Sequence, residues 1–281
     1  MKLKIIHKTI YSYQSPVIES VNEVRLYPIK NSHQKPLQFD LDLSPKATIQ
    51  NYRDFFCNRV DFFEINEPHQ KLEIQTTLKV QTFSDKNNPC LANIPLTELN
   101  THLDLDAHFD FLMNSYFVAV NPDIWRVAVD VSKENPRLLD CILGICRRTH
   151  QHFIYDPKTT DSKTTASQAF LLGKGVCQDY AHVMIAFLRA LKIPARYVSG
   201  YFWTDDAEND LSAGASHAWL EAYLPNYGWL GIDPTHNDLV DERYVSLAIG
   251  RDYGDVSPVR GTYRGTSSRN LEVNVSVEKF S

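Results

Sequence analysis

The chain has 281 residues, 43% of them hydrophobic and 22% charged, a globular balance with room for two domains of about 100 to 150 residues each. Its formal net charge is -5 with no basic block or stripe, which argues against a nucleic-acid partner. No apolar run approaches the roughly 18 residues of a membrane span, so a membrane protein is not expected.

The first residues, Met1-Lys-Leu-Lys-Ile-Ile-His-Lys8, return to charge too soon to hold a signal peptide's apolar stretch of about 7 to 15 residues. Five cysteines, Cys57, Cys90, Cys141, Cys146 and Cys177, form an odd and sparse set that suits reduced thiols better than a disulfide framework. The expected compartment is the cytoplasm.

From residue 1 to about 84, apolar residues recur at every second position. Leu37, Phe39, Leu41 and Leu43 alternate with Gln38, Asp40 and Asp42, and Leu72, Ile74, Thr76, Leu78 and Val80 repeat this pattern of strands with one buried face. Pro16, Pro28, Pro36, Pro45 and Pro68 punctuate the runs at the spacing of an antiparallel sandwich. His69, Tyr11 and Tyr13 read as packing or turn residues. Residues 87 to 121, with Pro89, Pro95 and the following Pro122, read as a connection with short helical pieces, and the expected domains are 1–115 and 116–281.

Asn135-Pro136 has the form of a helix start, Asn as cap and Pro at the first helical position. Leu138, Leu139, Ile142, Ile145 and Cys146 form the stripe that this helix would bury. Cys141, Cys146, His150 and His152 are all zinc-ligand types, with Cys146 and His150 one turn apart. Structural zinc patterns put two close pairs on separate elements, so core cysteines and a basic helix end are expected, without metal. Residues 159 to 167 read as a polar loop or a helix-capping region, at one rim of a cleft.

Gly173-Lys-Gly-Val-Cys177 then delivers a cysteine to the start of a helix in which Ala181, Met184, Ile185, Leu188 and Leu191 share one buried face, with Pro194 as its stop. A thiol at a helix N-terminus meets unpaired N–H groups and the positive dipole end, which favour the thiolate. Taken alone, Cys177 reads more readily as a buried structural cysteine, since free Cys is among the most buried residue types. Two later stretches shift that balance. Ser216-His217-Ala-Trp219-Leu-Glu-Ala-Tyr223 and Trp229-Leu-Gly-Ile-Asp233-Pro234-Thr235 supply a histidine and then a carboxylate, and a base near the sulfur, oriented by a third group, is what nucleophilic catalysis requires. Arg196 to Trp203 has strand composition, residues 205 to 210 form an acidic tip, and Leu271, Val273, Val275 and Val277 predict a last half-buried strand.

GVCQDYAHVMIAFLRALKIPARYVSGY, SHAWLEAYLPNYGWLGIDPT and GRDYGDVSPVRGTYRG resemble the bacterial transglutaminase-like family, a branch of the papain-like cysteine enzymes. HKTIYSYQSPVIESVNEVRLYP is similar to the β-rich domain that precedes the catalytic core in that family. The resemblance implies an α+β protein: an N-terminal antiparallel β-sandwich followed by a papain-like transglutaminase core of helices packed on an antiparallel sheet. It also implies Cys177 as nucleophile, His217 as base and Asp233 as orienting acid, no cofactor, and a peptide or protein substrate, joined in transfer by an amine acceptor.

The expected reaction forms a thioester on Cys177 from an amide, resolved by water or by an amine. Two alternatives share every residue: a cysteine peptidase or amidase that releases its acyl group to water only, and an interaction module that keeps the fold without turnover. The Cys177 backbone N–H is one expected oxyanion donor, and Gln178, Gln168 and Trp219 are candidates for the second. His182, about 140° round the helix from Cys177, is expected to face away from the thiol. Asp179 is expected to stabilise the dipole end, His236 is a fallback base, and Arg251, Asp252 and Tyr253 either line the cleft or brace it. Asp233 must also share a strand face with His217. An unbulged four-residue loop, Pro225 to Gly228, would set it opposite Leu220 on the wrong face. Direct opposition of His217 and Asp233, with Glu221 opposite Trp229, or a bulge is expected instead.

Overall fold

A computed structural model describes residues 1–84, 88–205, 216–265 and 268–280. The acidic tip, past Asp205, lies outside the described residues. Six strands open the chain: β1 (Lys2–Val17), β2 (Glu19–Val24), β3 (Gln34–Ser44), β4 (Gln50–Arg53), β5 (Arg59–Ile65) and β6 (His69–Thr82). Along β1 and β6 every second residue is buried, Leu3 and Ile5 on one, Leu72, Ile74, Leu78 and Val80 on the other. That period of two sends alternate side chains to opposite faces, so each strand offers one apolar face to a sandwich.

The chain's far end completes the sandwich. Strand β14 (Val259–Arg264) pairs with β2, and β15 (Arg269–Lys279) pairs with β1, giving the orders β15-β1-β6-β3 and β14-β2-β5-β4. These strands fall within 116–281, so the two-domain division needs correcting: the chain leaves the sandwich, builds the second unit and returns. Without β15 the long edge of β1 would present a row of unpaired backbone groups. Val275 is the one buried residue of β15, which is more exposed than its alternation predicts.

Between these strands lie 3-10 turns at Pro89–Ala92, Leu96–Thr101 and Phe109–Phe111 and the short helix α1 (Leu105–His108), matching the expected connection. Helix α2 (Pro122–Glu134) follows, where periodicity assigns no element. Asn121 caps it by accepting the Ile124 N–H at 2.9 Å, with Pro122 in the first turn. The Asn-Pro start thus occurs at 121–122. At 135–136 it does not: the Asn135 backbone and side-chain N–H groups donate to the Val131 carbonyl and close α2, and α3 (Leu138–His152) begins after Arg137. The two Asn-Pro pairs are alike locally. Tertiary pairing separates them, because the Pro136 carbonyl accepts the Leu96 N–H and holds that stretch extended.

The second unit continues with β7 (Ile154–Tyr155), α4 (Ala166–Leu172), β8 (Lys174–Gly175), α5 (Cys177–Ala190), β9 (Ala195–Phe202), β10 (His217–Leu224), β11 (Gly228–Asp233), β12 (Asp238–Leu239), β13 (Tyr244–Gly250) and α6 (Tyr253–Val256). Five of its strands form an antiparallel sheet in the order β12-β11-β10-β9-β13. Helix α5 packs on β9 and β10, and α2, α3 and α4 surround its remaining sides. Every residue from Asp179 to Arg189 is therefore buried, and the one-faced amphipathic helix of the sequence pattern is a central helix covered all round. Met184, Ile185, Phe187 and Leu188 are at most 1% exposed, and each such burial contributes about 1.5 to 3 kcal/mol. The helix stops at Ala190, ahead of Pro194, with Lys192 in a left-handed turn at φ 61°.

Tyr201, Val245 and Leu247 of the five-stranded sheet share the sandwich core with Leu3, Ile5 and Leu78, so sheet and sandwich have a continuous interior. Strand β13 ends this sheet, and two side-chain amides from the sandwich meet its outer backbone groups. Gln34 Nε2 donates to the Ser246 carbonyl at 2.7 Å while its Oε1 accepts the Ser246 N–H at 2.8 Å. Asn58 repeats this with Ile249 at 2.7 and 2.8 Å. A primary amide carries a donor and an acceptor side by side, as a peptide group does, so these two residues stand in for a neighbouring strand.

Candidate active site

The approach to α5 is fixed before the cysteine is reached. Strand β8 pairs in parallel with β7, Ile154 beside Lys174 and Tyr155 beside Gly175. Gly175 has no space for a side chain, since a Cβ there would lie 2.3 Å from Asp179 Oδ2. That oxygen accepts the Val176 N–H at 2.8 Å and the Thr160 hydroxyl at 2.6 Å, so Asp179 caps the first turn, as expected. Burial pushes its carboxyl pKa up. Cys177 is half-buried at the first position of α5. Cys57 and Cys90 are exposed, whereas Cys141 and Cys146 are buried, their thiol pKa values pushed up to about 12 by burial.

His217 opens β10 at 2% exposure, and its Nε2 donates to Asp233 Oδ2 at 2.6 Å. Nδ1 is buried and completes no hydrogen bond of normal geometry. With Nε2 held by Asp233, Nδ1 is the nitrogen left for the Cys177 sulfur, which is close enough to stabilise the imidazolium. Burial alone would lower the His217 pKa. The facing Asp233 carboxylate outweighs that, Cys177 adds to it, and the value rises to about 10.

Asp233 is fully buried, and its Oδ2 also accepts His236 Nδ1–H at 2.7 Å and the Tyr244 hydroxyl at 2.9 Å, while Oδ1 accepts the Thr235 N–H at 2.8 Å. Burial would raise its pKa, but the His217 charge and the imidazole hydrogen bonds hold it far below the carboxylate range. His236, a fallback base in the sequence, is thus a second partner of the acid. Tyr244 has no mark in the sequence, where it is one strand aromatic among many.

The hairpin follows neither expected arrangement. Leu224 pairs with Gly228, Tyr223 with Trp229 and Leu220 with Ile232, leaving a loop of Pro225, Asn226 and Tyr227. Pro225 and Asn226, the latter at φ 67°, occupy the middle of a turn closed by Tyr227 N–H to Leu224 O at 3.1 Å, the pattern of a type II turn. Three loop residues in place of four shift the register by one, so Asp233 falls on the face of Trp219 and His217 without a bulge.

Of the candidate oxyanion donors, Gln168 caps α4, its Oε1 accepting the Thr165 N–H at 2.9 Å. Gln178 Nε2 and Trp219 Nε1 are buried without hydrogen-bond partners, and the Trp219 ring stacks on His217 at 6.0 Å. His182 points elsewhere, its Nε2 accepting the Tyr253 N–H at 3.1 Å and its ring stacking on Phe117. Arg251 pairs with Asp255 at 2.9 Å, and Asp252 accepts the Phe117 and Gly254 N–H groups, so the 251–253 stretch braces the unit.

Residues 3–81 match the bacterial transglutaminase-like N-terminal region, and residues 126–234 match the transglutaminase-like superfamily. An uncharacterised protein of Mycobacterium leprae is 31% identical over 282 residues, covering 99% of each chain. The chain belongs to the bacterial transglutaminase-like family. A solved structure from Cytophaga hutchinsonii, provisionally named a cysteine protease, is similar with a TM-score of 0.77 and 25% identity over 100% of this chain and 92% of that one. A protein-glutamine gamma-glutamyltransferase of Pseudomonas aeruginosa is 38% identical over 160 residues, 52% of this chain and 24% of that protein.

In this transglutaminase-like chain the zinc-type residues of α3 go separate ways. Cys141 is packed in the core, Cys146 Sγ approaches the Asp233 carbonyl at 3.9 Å, His150 Nδ1 donates to the Thr235 carbonyl at 3.1 Å, and His152 Nε2 donates to the Phe170 carbonyl at 2.7 Å. Helix α3 thereby holds the backbone that carries Asp233. Donor atoms of His217, Asp233 and His236 lie within 4.8 Å of one another, and both imidazoles direct N–H groups at the carboxylate, making a hydrogen-bonded cluster. No helix among the described residues is long and apolar enough to cross a membrane.

Proposed function

We propose that the protein is a transglutaminase-like cysteine enzyme acting on a glutaminyl or peptide amide through Cys177, His217 and Asp233. The observation that carries this reading is the buried 2.6 Å contact of His217 with Asp233, which leaves the opposite ring nitrogen for Cys177 at the start of α5. The Cys177 thiolate attacks the amide carbonyl, the C–N bond breaks, and the His217 imidazolium gives its proton to the departing nitrogen. An amine or water then attacks the thioester, loses a proton to His217 and releases the thiolate. The Cys177 N–H and either Gln178 or Trp219 would stabilise the oxyanion.

The likeness to the Pseudomonas aeruginosa gamma-glutamyltransferase favours transfer, and that to the Cytophaga hutchinsonii protein favours hydrolysis. Mass spectrometry with a glutamine-containing peptide library, with and without a primary amine, separates them. Ammonia loss with amine incorporation means transfer, and deamidation or cleavage means hydrolysis. An unmodified library would leave the fold as an interaction module. The five free cysteines support a reducing compartment such as the cytoplasm as part of this proposal.

A further inference from the structure

We infer that His236 is a positioning residue that shares the Asp233 carboxylate with His217 and so sets how readily the His217 imidazolium gives up its proton. The inference rests on the triad proposed above. Three donors converge on Asp233 Oδ2: His217 Nε2–H at 2.6 Å, His236 Nδ1–H at 2.7 Å and the Tyr244 hydroxyl at 2.9 Å. The carboxylate is fully buried, so no solvent shell moderates its basicity. Facing His217 alone, such an anion would hold the imidazolium too firmly for it to act as the acid that protonates a leaving nitrogen. Each added donor withdraws electron density from Oδ2 and weakens its grip on the His217 proton.

The surroundings direct this effect through His236. Its ring lies 5.3 Å from that of His217 and 4.6 Å from that of Phe202, and its side chain is 26% exposed against 1% for His217. His236 is thus where solvent meets the cluster. The groups around it include His217 from β10, Asp233 from β11 and the Phe202 ring from β9, and Tyr244 from β13 meets the same Asp233 oxygen. Arg243 lies over Phe202 at 5.4 Å and is held by Asp238 and Asp241. From α3, the buried Cys146 thiol and His150 meet backbone carbonyls of residues 233 to 235. The carboxylate that His236 meets is the one that orients His217.

Two substitutions of nearly equal shape separate hydrogen bonding from packing. In His236→Asn the amide N–H takes the place of Nδ1–H, and His236→Leu has no donor. The readout is the pH profile of Cys177 alkylation by iodoacetamide, measured by brief pH jumps with peptide mass spectrometry, whose upper inflection reports loss of the His217 proton. His236→Leu should move that inflection up by about one pH unit, and His236→Asn should stay within about 0.3 unit of the unaltered protein. Tyr244→Phe, which removes another Oδ2 donor, should move it the same way and serves if His236→Leu folds poorly. Unmoved inflections in His236→Leu and Tyr244→Phe overturn the inference, even if melting temperatures fall. So does an Asn variant that shifts as far as the Leu variant. If Cys177 in the unaltered protein never reacts ahead of Cys57, the triad itself fails and this inference with it.

Discussion

Asp233 reaches His217 diagonally: one step beyond the Leu220 and Ile232 pair it stands across from Trp219, two residues along β10, yet its Oδ2 lies 2.6 Å from His217 Nε2. The diagonal works because residues two apart share a strand face. Asp233→Asn should keep this placement but present an N–H or a neutral oxygen to Nε2, favouring the wrong tautomer. We expect a fall in kcat on the order of 10³- to 10⁴-fold with little change in KM, the scale for an orienting acid in a serine protease. Asp233→Ala should also cost about 3 to 5 kcal/mol in urea unfolding, because it leaves the buried His217 charge unpaired. Turnover within tenfold of normal in Asp233→Asn would remove Asp233 from the mechanism.

Cys177 should alkylate first among the five cysteines, since it stands at a helix start beside His217, whereas Cys57 and Cys90 are simply exposed and Cys141 and Cys146 are buried. Limited iodoacetamide labelling followed by peptide mapping gives the order. Cys177→Ala should abolish turnover and change stability little, as the side chain is small and half-buried. A loss of about 2 to 5 kcal/mol, the scale of core truncations, would instead mark a structural cysteine.

The site was legible where chemistry is local and obscure where it depends on tertiary pairing. Cys177 before its helix, and His217 and Asp233 on two strand patterns, can be picked out because the nucleophile, base and acid proposed above each need a particular residue type. Tyr244 and His236 complete the same cluster through side chains from β13 and from the turn after β11, and no spacing along the chain marks that convergence. The sandwich was visible in its period of two, but nothing local shows that residues 259–279 return to it, since an edge strand looks the same whichever strand it joins. The Asn135-Pro136 misassignment has a similar cause, as the pairing of Leu96 with Pro136 decides which Asn-Pro starts a helix.

Arg189 should be among the chain's most sensitive positions outside the site. At 1% exposure, its guanidinium donates to the carbonyls of Phe111, Met113, Ala195 and Arg251 and to Ser115 Oγ, tying the 109–115 connection and β9 to α5. Burial pulls its pKa down to about 10, still well charged at neutral pH. Arg189→Lys cannot reproduce the fork, and each buried carbonyl left without a donor costs about 1 to 3 kcal/mol. We expect a loss of about 3 kcal/mol or more in urea unfolding of Arg189→Lys. A change below about 1 kcal/mol would mean that water or backbone shifts satisfy these carbonyls.

Stability should fall as pH drops below about 6.5, through histidines that are buried neutral. His7, at 2% exposure between Tyr201 OH at 2.9 Å and Thr9 Oγ1 at 3.0 Å, has its pKa pushed down to about 4 by burial. His182, fully buried, is pushed down to about 3, by burial first and by the Arg189 charge second. The unfolded chain takes up both protons near pH 6.5, before the folded protein does, so each histidine draws the equilibrium toward unfolding as pH falls from about 6.5 to its folded pKa. His217 has the opposite sign. Its raised pKa contributes stability that approaches completion as pH falls through about 6.5 and is lost as pH rises toward about 10, so between pH 7 and 5 it offsets a small part of the loss, mostly near the top of that window. The depressed pKa of Asp233 contributes stability that is lost only below its unfolded value near 3.8. Between pH 7 and 5 we therefore expect a loss of roughly 1 to 2 kcal/mol from each of His7 and His182, read as a falling urea midpoint. His7→Asn, whose amide can still meet Tyr201, should remove the His7 share and flatten the slope. A His7→Asn protein with the full slope would show that other groups carry the acid sensitivity.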